Sequence, residues 1–198
     1  MEMRSYRQAR AFTLIELLVV ISIIIVLMGL LFPAFRGVQD QAKRTQAKND
    51  LTQIVTAVNA FYTEYGKYPL TPATPGDTTY GAGVTNNKLL NELRNQGATE
   101  NPRGIVFISP PDAKDANVPR SGIAGASSSS AGQYFDPWGK PYMARLDTDY
   151  DNQVDNPYTA DTGAGSSKAR QGVVAWSSGD DGVQGTDFKA SDDVISWQ

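Results

Sequence analysis

The sequence predicts an α+β fold: one long N-terminal helix followed by a small, turn-rich head of short strands. Three observations carry this. Residues 12–35 form an apolar run interrupted only by Thr13, Glu16, Ser22, Gly29 and Pro33. Leu51, Ile54, Val55, Val58, Phe61, Tyr62 and Tyr65 then recur at three- and four-residue spacing, one apolar face of an amphipathic helix. From Gly66 onward, Gly, Pro, Ser and Asp punctuate short apolar runs that suit strands and turns.

The first element is the apolar run. Its 24 residues, at about 1.5 Å each, span about 36 Å as a helix, enough for the hydrocarbon core of a bilayer. A cleaved secretory signal needs a shorter apolar region with a small-residue site beyond it, whereas here the small residue, Ala11, precedes the run. The leader, residues 1–11, carries Arg4, Arg7 and Arg10 against Glu2, and such charge holds that end in the cytoplasm. No later run is long and apolar enough to span again, so a single pass is expected, with the rest of the chain across the membrane.

Glu16 is the informative interruption, because a carboxylate at a bilayer centre costs about 2.5–3.5 kcal/mol. Two readings stay open. The acid waits for an opposite charge, or it sits near the head groups where the helix N-terminus favours an anion. Pro33 lacks an N–H and predicts a kink, and Gly29, four residues earlier, weakens the same stretch. Membrane helices also tolerate both residues. The helix is expected to continue through residues 36–65, with Arg36, Asp40, Lys43, Arg44, Lys48 and Asp50 before the amphipathic face and Gly66 and Pro69 at its end.

In the head, residues 66–198, Leu89, Leu90 and Leu93 predict a short helix over 87–95, and residues 103–109 read as a short strand or extended segment. Residues 121–133, rich in Gly and Ser, are expected to be a flexible loop. Trp138 and Trp197 read as packing aromatics. The chain has no cysteine, so no disulfide closes the small head. It has no histidine, which removes imidazole acid–base chemistry and imidazole metal ligation. The net charge of −3 includes +2 from residues 1–11 (three Arg, one Glu), leaving −5 without them. A broadly basic nucleic-acid surface is thereby disfavoured.

The acid concentrates at the far end. Between Asp147 and Gln198 there are ten aspartates, no glutamate, and only Lys168, Arg170 and Lys189 to balance them. Asp147, Asp149, Asp151 and Asp155 occupy positions 1, 3, 5 and 9 of a loop, the early ligand spacing of a calcium loop, with Gln153 offering a carbonyl at position 7. Asn152 stands where Gly is preferred, and Tyr158 where a bidentate Glu closes an EF-hand, so this is no EF-hand. A calcium loop and a solvated acidic turn are both compatible with it. A second cluster, Ser177-Ser178-Gly179-Asp180-Asp181-Gly182, Asp187 and Asp192-Asp193, is bracketed by expected strands at 172–177 and 194–197. Such a loop repels itself unless a cation neutralises it.

Arg10-Ala11-Phe12-Thr13-Leu14-Ile15-Glu16, followed by an apolar helix with Pro33, resembles the class III leader and N-terminal helix of type IV pilins and type II secretion pseudopilins. Tyr65-Gly66-Lys67-Tyr68-Pro69 resembles their helix–head junction, and Asp136-Pro137-Trp138-Gly139-Lys140-Pro141-Tyr142 the DPWG motif of the major pseudopilin. The resemblance implies a prepilin peptidase cut between Ala11, where Gly is usual, and Phe12, with Phe12 methylated. It implies that Glu16 meets the N-terminal ammonium of a neighbouring subunit, so that mis-registered subunits leave two buried charges unpaired. The Gly29–Pro33 stretch would partly unwind as subunits pack.

The resemblance further implies a pilin-like architecture: a helix with a membrane-spanning half and an amphipathic half, packed on a small antiparallel sheet with calcium-binding loops. Ser178 to Gly182 and Asp193 to Trp197 resemble the pseudopilin calcium loop, which implies Asp181 and Asp193 as ligands, then Asp192, with Asp180, Asp187 and Ser178 after them. One Ca²⁺ is expected there; the acidic tract at 147–161 departs from the compact family pattern, and at its 147–155 loop a second Ca²⁺ and a solvated turn both stay open. The expected function is that of a structural subunit of a type II secretion pseudopilus or type IV pilus-like filament. Expected partners are copies of itself, prepilin peptidase, an inner-membrane assembly platform, minor pseudopilins and the bilayer before assembly, with no nucleic acid. The implied location is the bacterial inner membrane with the head in the periplasm, then a periplasmic or surface filament. A surface pilin acting in adhesion or DNA uptake is the alternative. A membrane-anchored hydrolase built on the carboxylates ranks last, since the acids lie in loops without His or Cys.

Overall fold

A computed structural model describes residues 12–72, 76–158 and 163–198, together with the backbone but not the side chains of residues 30 and 32–34. The leader, Ala11 included, lies outside the described residues. Helix α1 runs Leu14–Tyr65, 52 residues in all. The chain divides into two compact units, one ending at Ala42 and one comprising Lys43–Gln198.

In the first unit the described side chains from Phe12 to Asp40 are exposed, among them Leu14 at 87 % and Ile25 at 68 %. The Ser22 hydroxyl donates to the Val19 carbonyl at 2.8 Å, which satisfies a polar group inside an apolar stretch. The backbone is helical through Pro33. Among the described residues no helix is long and apolar enough to cross a membrane, so the structure does not establish the span read at 12–35, a stretch that includes the side chains left undescribed.

In the second unit α1 buries Ala47, Leu51, Ile54, Ala57, Val58 and Phe61, the face that the periodicity picks out. Tyr62 departs from it: 39 % exposed, it stacks on Tyr68 at 4.7 Å between ring centroids instead of entering the core. Gly66, with φ of 68°, takes the left-handed conformation that ends the helix, and its N–H donates to the Tyr62 carbonyl at 2.8 Å.

The head follows as β1 (Thr78–Tyr80), α2 (Asn87–Arg94), β2 (Gly122–Ile123), β3 (Tyr134–Phe135), β4 (Met143–Leu146), β5 (Val154–Asp155), β6 (Lys168–Ala169), β7 (Val173–Ser177), a 3₁₀ turn (Phe188–Ala190) and β8 (Val194–Ile195). The main sheet is antiparallel in the order β1-β4-β7-β8, with Leu146 opposite both Thr78 and Val173, and Trp176 opposite both Met143 and Ile195. Pairs β2–β3 and β5–β6 form separate two-stranded ribbons. Side chains alternate across the sheet. Ala144, Leu146, Val173 and Ala175 join the α1 and α2 core, while Met143, Val174, Trp176 and Ile195 join a second cluster with Val154 and Tyr158. Strand β7 is therefore buried on both faces, which accounts for its unbroken apolar run Val173–Trp176.

One segment takes the extended of its two readings, and one differs from expectation. Residues 105–109 are extended but join no ladder, because Phe107 and Ile108 N–H groups both donate to the Leu93 carbonyl (2.8 and 3.3 Å) at the end of α2. Residues 121–133 form a tied excursion rather than a free loop. Pairing of β2 with β3 closes its base, and Ala124 and Gly132 N–H groups donate to Gln133 and Ala124 carbonyls at 2.8 Å.

Candidate functional site

Three places bring together the singled-out residues. At the start of α1, Thr13 and Glu16 bond reciprocally. The Thr13 N–H and hydroxyl donate to Glu16 Oε2 at 2.9 and 2.6 Å, and the Glu16 N–H donates to the Thr13 hydroxyl at 3.3 Å. This is a capping box, which fills N–H groups that a helix start leaves without partners. The Thr-x-x-Glu pattern was present in the chain, and the acid is held at the helix N-terminus and exposed there. Phe12, beside it, is 77 % exposed. Gly29 has open space where a side chain would stand.

The second place is the β7–β8 connection. It is held at its base by the Asp136 turn. Asp136 is fully buried; its Oδ1 accepts from the Trp138 and Lys140 N–H groups at 2.9 and 2.8 Å, and its Oδ2 accepts from the Ser177 hydroxyl at 2.5 Å. Burial pushes the Asp136 carboxyl above the usual range, against these bonds. Ser178 is buried, and its carbonyl accepts from Gly182 N–H at 3.1 Å. Gly179 has φ of 61°, and a Cβ there would stand 2.5 Å from the Asp192 carboxylate, so only glycine lets the loop turn so close to it.

Around that turn the acids divide. Asp192 Oδ2 accepts from Asp180 and Asp181 N–H groups at 2.5 and 3.2 Å. Asp193 Oδ2 accepts from the Tyr158 hydroxyl at 2.8 Å and from Gly185 N–H at 2.9 Å. The other oxygen of each, Oδ1, is buried without a hydrogen-bond partner. Asp193 is 3 % exposed, and burial raises its carboxyl above the usual range. Asp181 Oδ1 accepts from Val183 N–H at 2.8 Å, and Asp187 Oδ1 caps the 3₁₀ turn through Lys189 N–H at 3.0 Å. Asp180 is exposed. Among the described residues no three of these carboxylates gather at one point. The two buried, orphaned carboxylate oxygens are hard donors of the kind a divalent cation takes, and an ionised group buried without a counter-charge is costly.

The third place is the 147–155 loop, and the expected ligands separate there. Asp147 and Asp149 come together, but with Asp77, all three offering an oxygen within 4.8 Å of the others. Asp147, 2 % exposed, accepts from Asp151 and Asn152 N–H groups at 3.1 and 2.9 Å. Burial raises its carboxyl, and the neighbouring Asp149 adds to that. Asp151 turns to the Gln153 N–H at 2.8 Å, and Asp155 pairs with Lys168 at 2.8 Å. Asn152 takes φ of 63°, as its place in the loop required. Asp77 was not legible: it precedes β1, and only pairing of Thr78 with Leu146 carries it to the loop. Tyr158 and Gly185, which hold Asp193, carried no sequence signal either.

The description "Prokaryotic N-terminal methylation motif" matches residues 6–32. The chain is 32 % identical over 122 residues to a fimbrial protein of Pseudomonas aeruginosa, covering 62 % of this chain and 72 % of that one. It is 39 % identical over 59 residues to the type IV major pilin protein PilA of Myxococcus xanthus, 30 % of this chain and 27 % of that one. It is 40 % identical over 65 residues to the type II secretion system core protein G of Pseudomonas aeruginosa, 33 % of this chain and 46 % of that one. No solved structure matches it.

Proposed function

Because the chain belongs to the type IV pilin and pseudopilin family, we propose that it is the major subunit of a type II secretion pseudopilus, cut between Ala11 and Phe12 and methylated at Phe12. The family consists of filament subunits, not enzymes, processed by prepilin peptidase. The pseudopilus reading rests on the buried Asp136 turn bonded to Ser177, with orphaned Asp192 and Asp193 oxygens on the loop that follows. A surface type IV pilin is the second reading, favoured by the longer likeness to the fimbrial protein.

The proposed path starts in the inner membrane, with the head in the periplasm. The exposed apolar side chains of the first unit are a surface that water does not tolerate, and lipid covers it before assembly. An assembly platform and minor pseudopilins lift the subunit from the bilayer into a filament of its own copies. Glu16 then exchanges the Thr13 bonds for the Phe12 ammonium of a neighbour, a charge-assisted pair that forms only in register. The Gly29–Pro33 stretch supplies the local give for that packing. Calcium would be held by Asp193, Asp192 and Asp181 with carbonyls of the Ser178 turn, and it would neutralise the loop and stiffen the head. A second cation would be held by Asp77, Asp147 and Asp149, whose oxygens lie within 4.8 Å of one another. Asp155 is left out of it by its pairing with Lys168.

Glu16→Ala tests the assembly role. The variant is expected to insert into membranes as the native chain does and to form no filaments; normal filaments from it would refute the role. Short periplasmic filaments and loss of secretion on deletion support the pseudopilus, and long surface filaments with intact secretion support the pilus.

A further inference from the structure

On the head, α2 and the β2–β3 excursion border an open groove of about 510 Å³. Asn91, Arg94 and Gln96 form one wall, with Asp112 and Gly132 among the other lining residues. Asn91 and Arg94 stand three residues apart on α2 and share a face. Gly132 has φ of 78°, and a Cβ there would lie 3.2 Å from Asn91 Oδ1, so glycine keeps that rim open. Among the described residues, the half-buried Arg94 side chain has no hydrogen bond and no ion pair, and Asp112 in the same groove does not reach it. The last turn of α2 suits a cation, but it leaves the planar donors of the guanidinium unfilled.

The complementary feature lies elsewhere on the head. Asp180 sits at the tip of the 178–182 turn, its N–H fixed to Asp192 and the turn set by Gly179 and Gly182 at φ of 61° and 71°. Its backbone is pinned while its carboxylate is exposed and, among the described residues, without a partner. No residue belongs to both features, so a contact between them joins two different patches, the heterologous kind that builds open helical filaments. We propose that the Asp180 tip of one copy seats in the Arg94 groove of the next, pairing carboxylate with guanidinium. This rests on the filament reading and adds a head-to-head contact to the one made by the helices.

The absence of cysteine makes the test clean. Filaments carrying Arg94→Cys and Asp180→Cys together should give, on oxidation, a ladder of covalent multimers that neither single variant gives. Independently, Arg94→Glu and Asp180→Arg should each lower filament yield roughly tenfold, and the double exchange should restore it. Double-cysteine filaments without a ladder, a ladder from Arg94→Cys with Asp151→Cys instead, or failure of the exchange to restore yield would each overturn the contact. Absence of filaments from the unaltered chain would overturn the filament reading itself, a separate result.

Discussion

Asp193→Asn is the sharpest test of the metal reading. Asp193 is 3 % exposed; one carboxylate oxygen is committed to Tyr158 and Gly185, and the other is buried without a partner. A cation that binds only the folded head adds RT ln(1 + [L]/Kd), about 2.7 kcal/mol at a hundredfold excess over Kd. A domain of this size gains about 2–4 °C in Tm per kcal/mol, so calcium should raise Tm by about 5–11 °C. Asparagine preserves the shape but brings no charge, and the calcium-dependent rise should shrink to about 1–2 °C or less. The assay is thermal unfolding of the full chain in detergent, with calcium and with chelator, for both proteins. An unaltered Tm on chelation of the native chain, or a full calcium response in the variant, would refute the reasoning.

Three further outcomes follow from the packing. Asp136→Ala strands the buried Trp138 N–H and Ser177 hydroxyl and the half-buried Lys140 N–H, and should cost about 3–5 kcal/mol in urea unfolding. Phe61→Ala empties a fully buried site between α1 and the head, with a cost of about 3–5 kcal/mol by the same measurement. Burial raises the Asp50 carboxyl, which accepts from the Tyr142 hydroxyl at 2.8 Å, so the folded state holds its proton to higher pH than the unfolded state does. That contribution to stability is complete below the ordinary Asp range and is lost as pH rises through the raised value. The urea midpoint of Asp50→Asn should therefore lose this part of the pH dependence, and an identical slope in both proteins would contradict it.

Much of the molecule was legible because its signals are local. Spacing along one helix selected Leu51, Ile54, Val58 and Phe61, and each is buried. Gly66 ended the helix as a left-handed residue, and Leu89, Leu90 and Leu93 marked α2. Composition misled where bonding at a distance decided the conformation: Gly and Ser in 121–133 suggested freedom, yet β2 pairs with β3 across them. Residues 105–109 read as strand or extended, and bonding of the Phe107 and Ile108 N–H groups to the Leu93 carbonyl of α2 selects the second.

By itself the sequence determined the leader pattern, the apolar run with Glu16, the long helix and the family, all of which depend on residues within a few turns of one another. The tertiary structure alone decided which acids meet. Asp77 joins Asp147 and Asp149 through the register of β1 on β4, and Asp155 leaves them for Lys168. It also decided that Asp192 and Asp193 each bury an unanswered oxygen. Chain spacing fixes neighbours along a helix, but contacts across tens of residues are selected by which pairing buries the most apolar surface, and no local pattern records that choice.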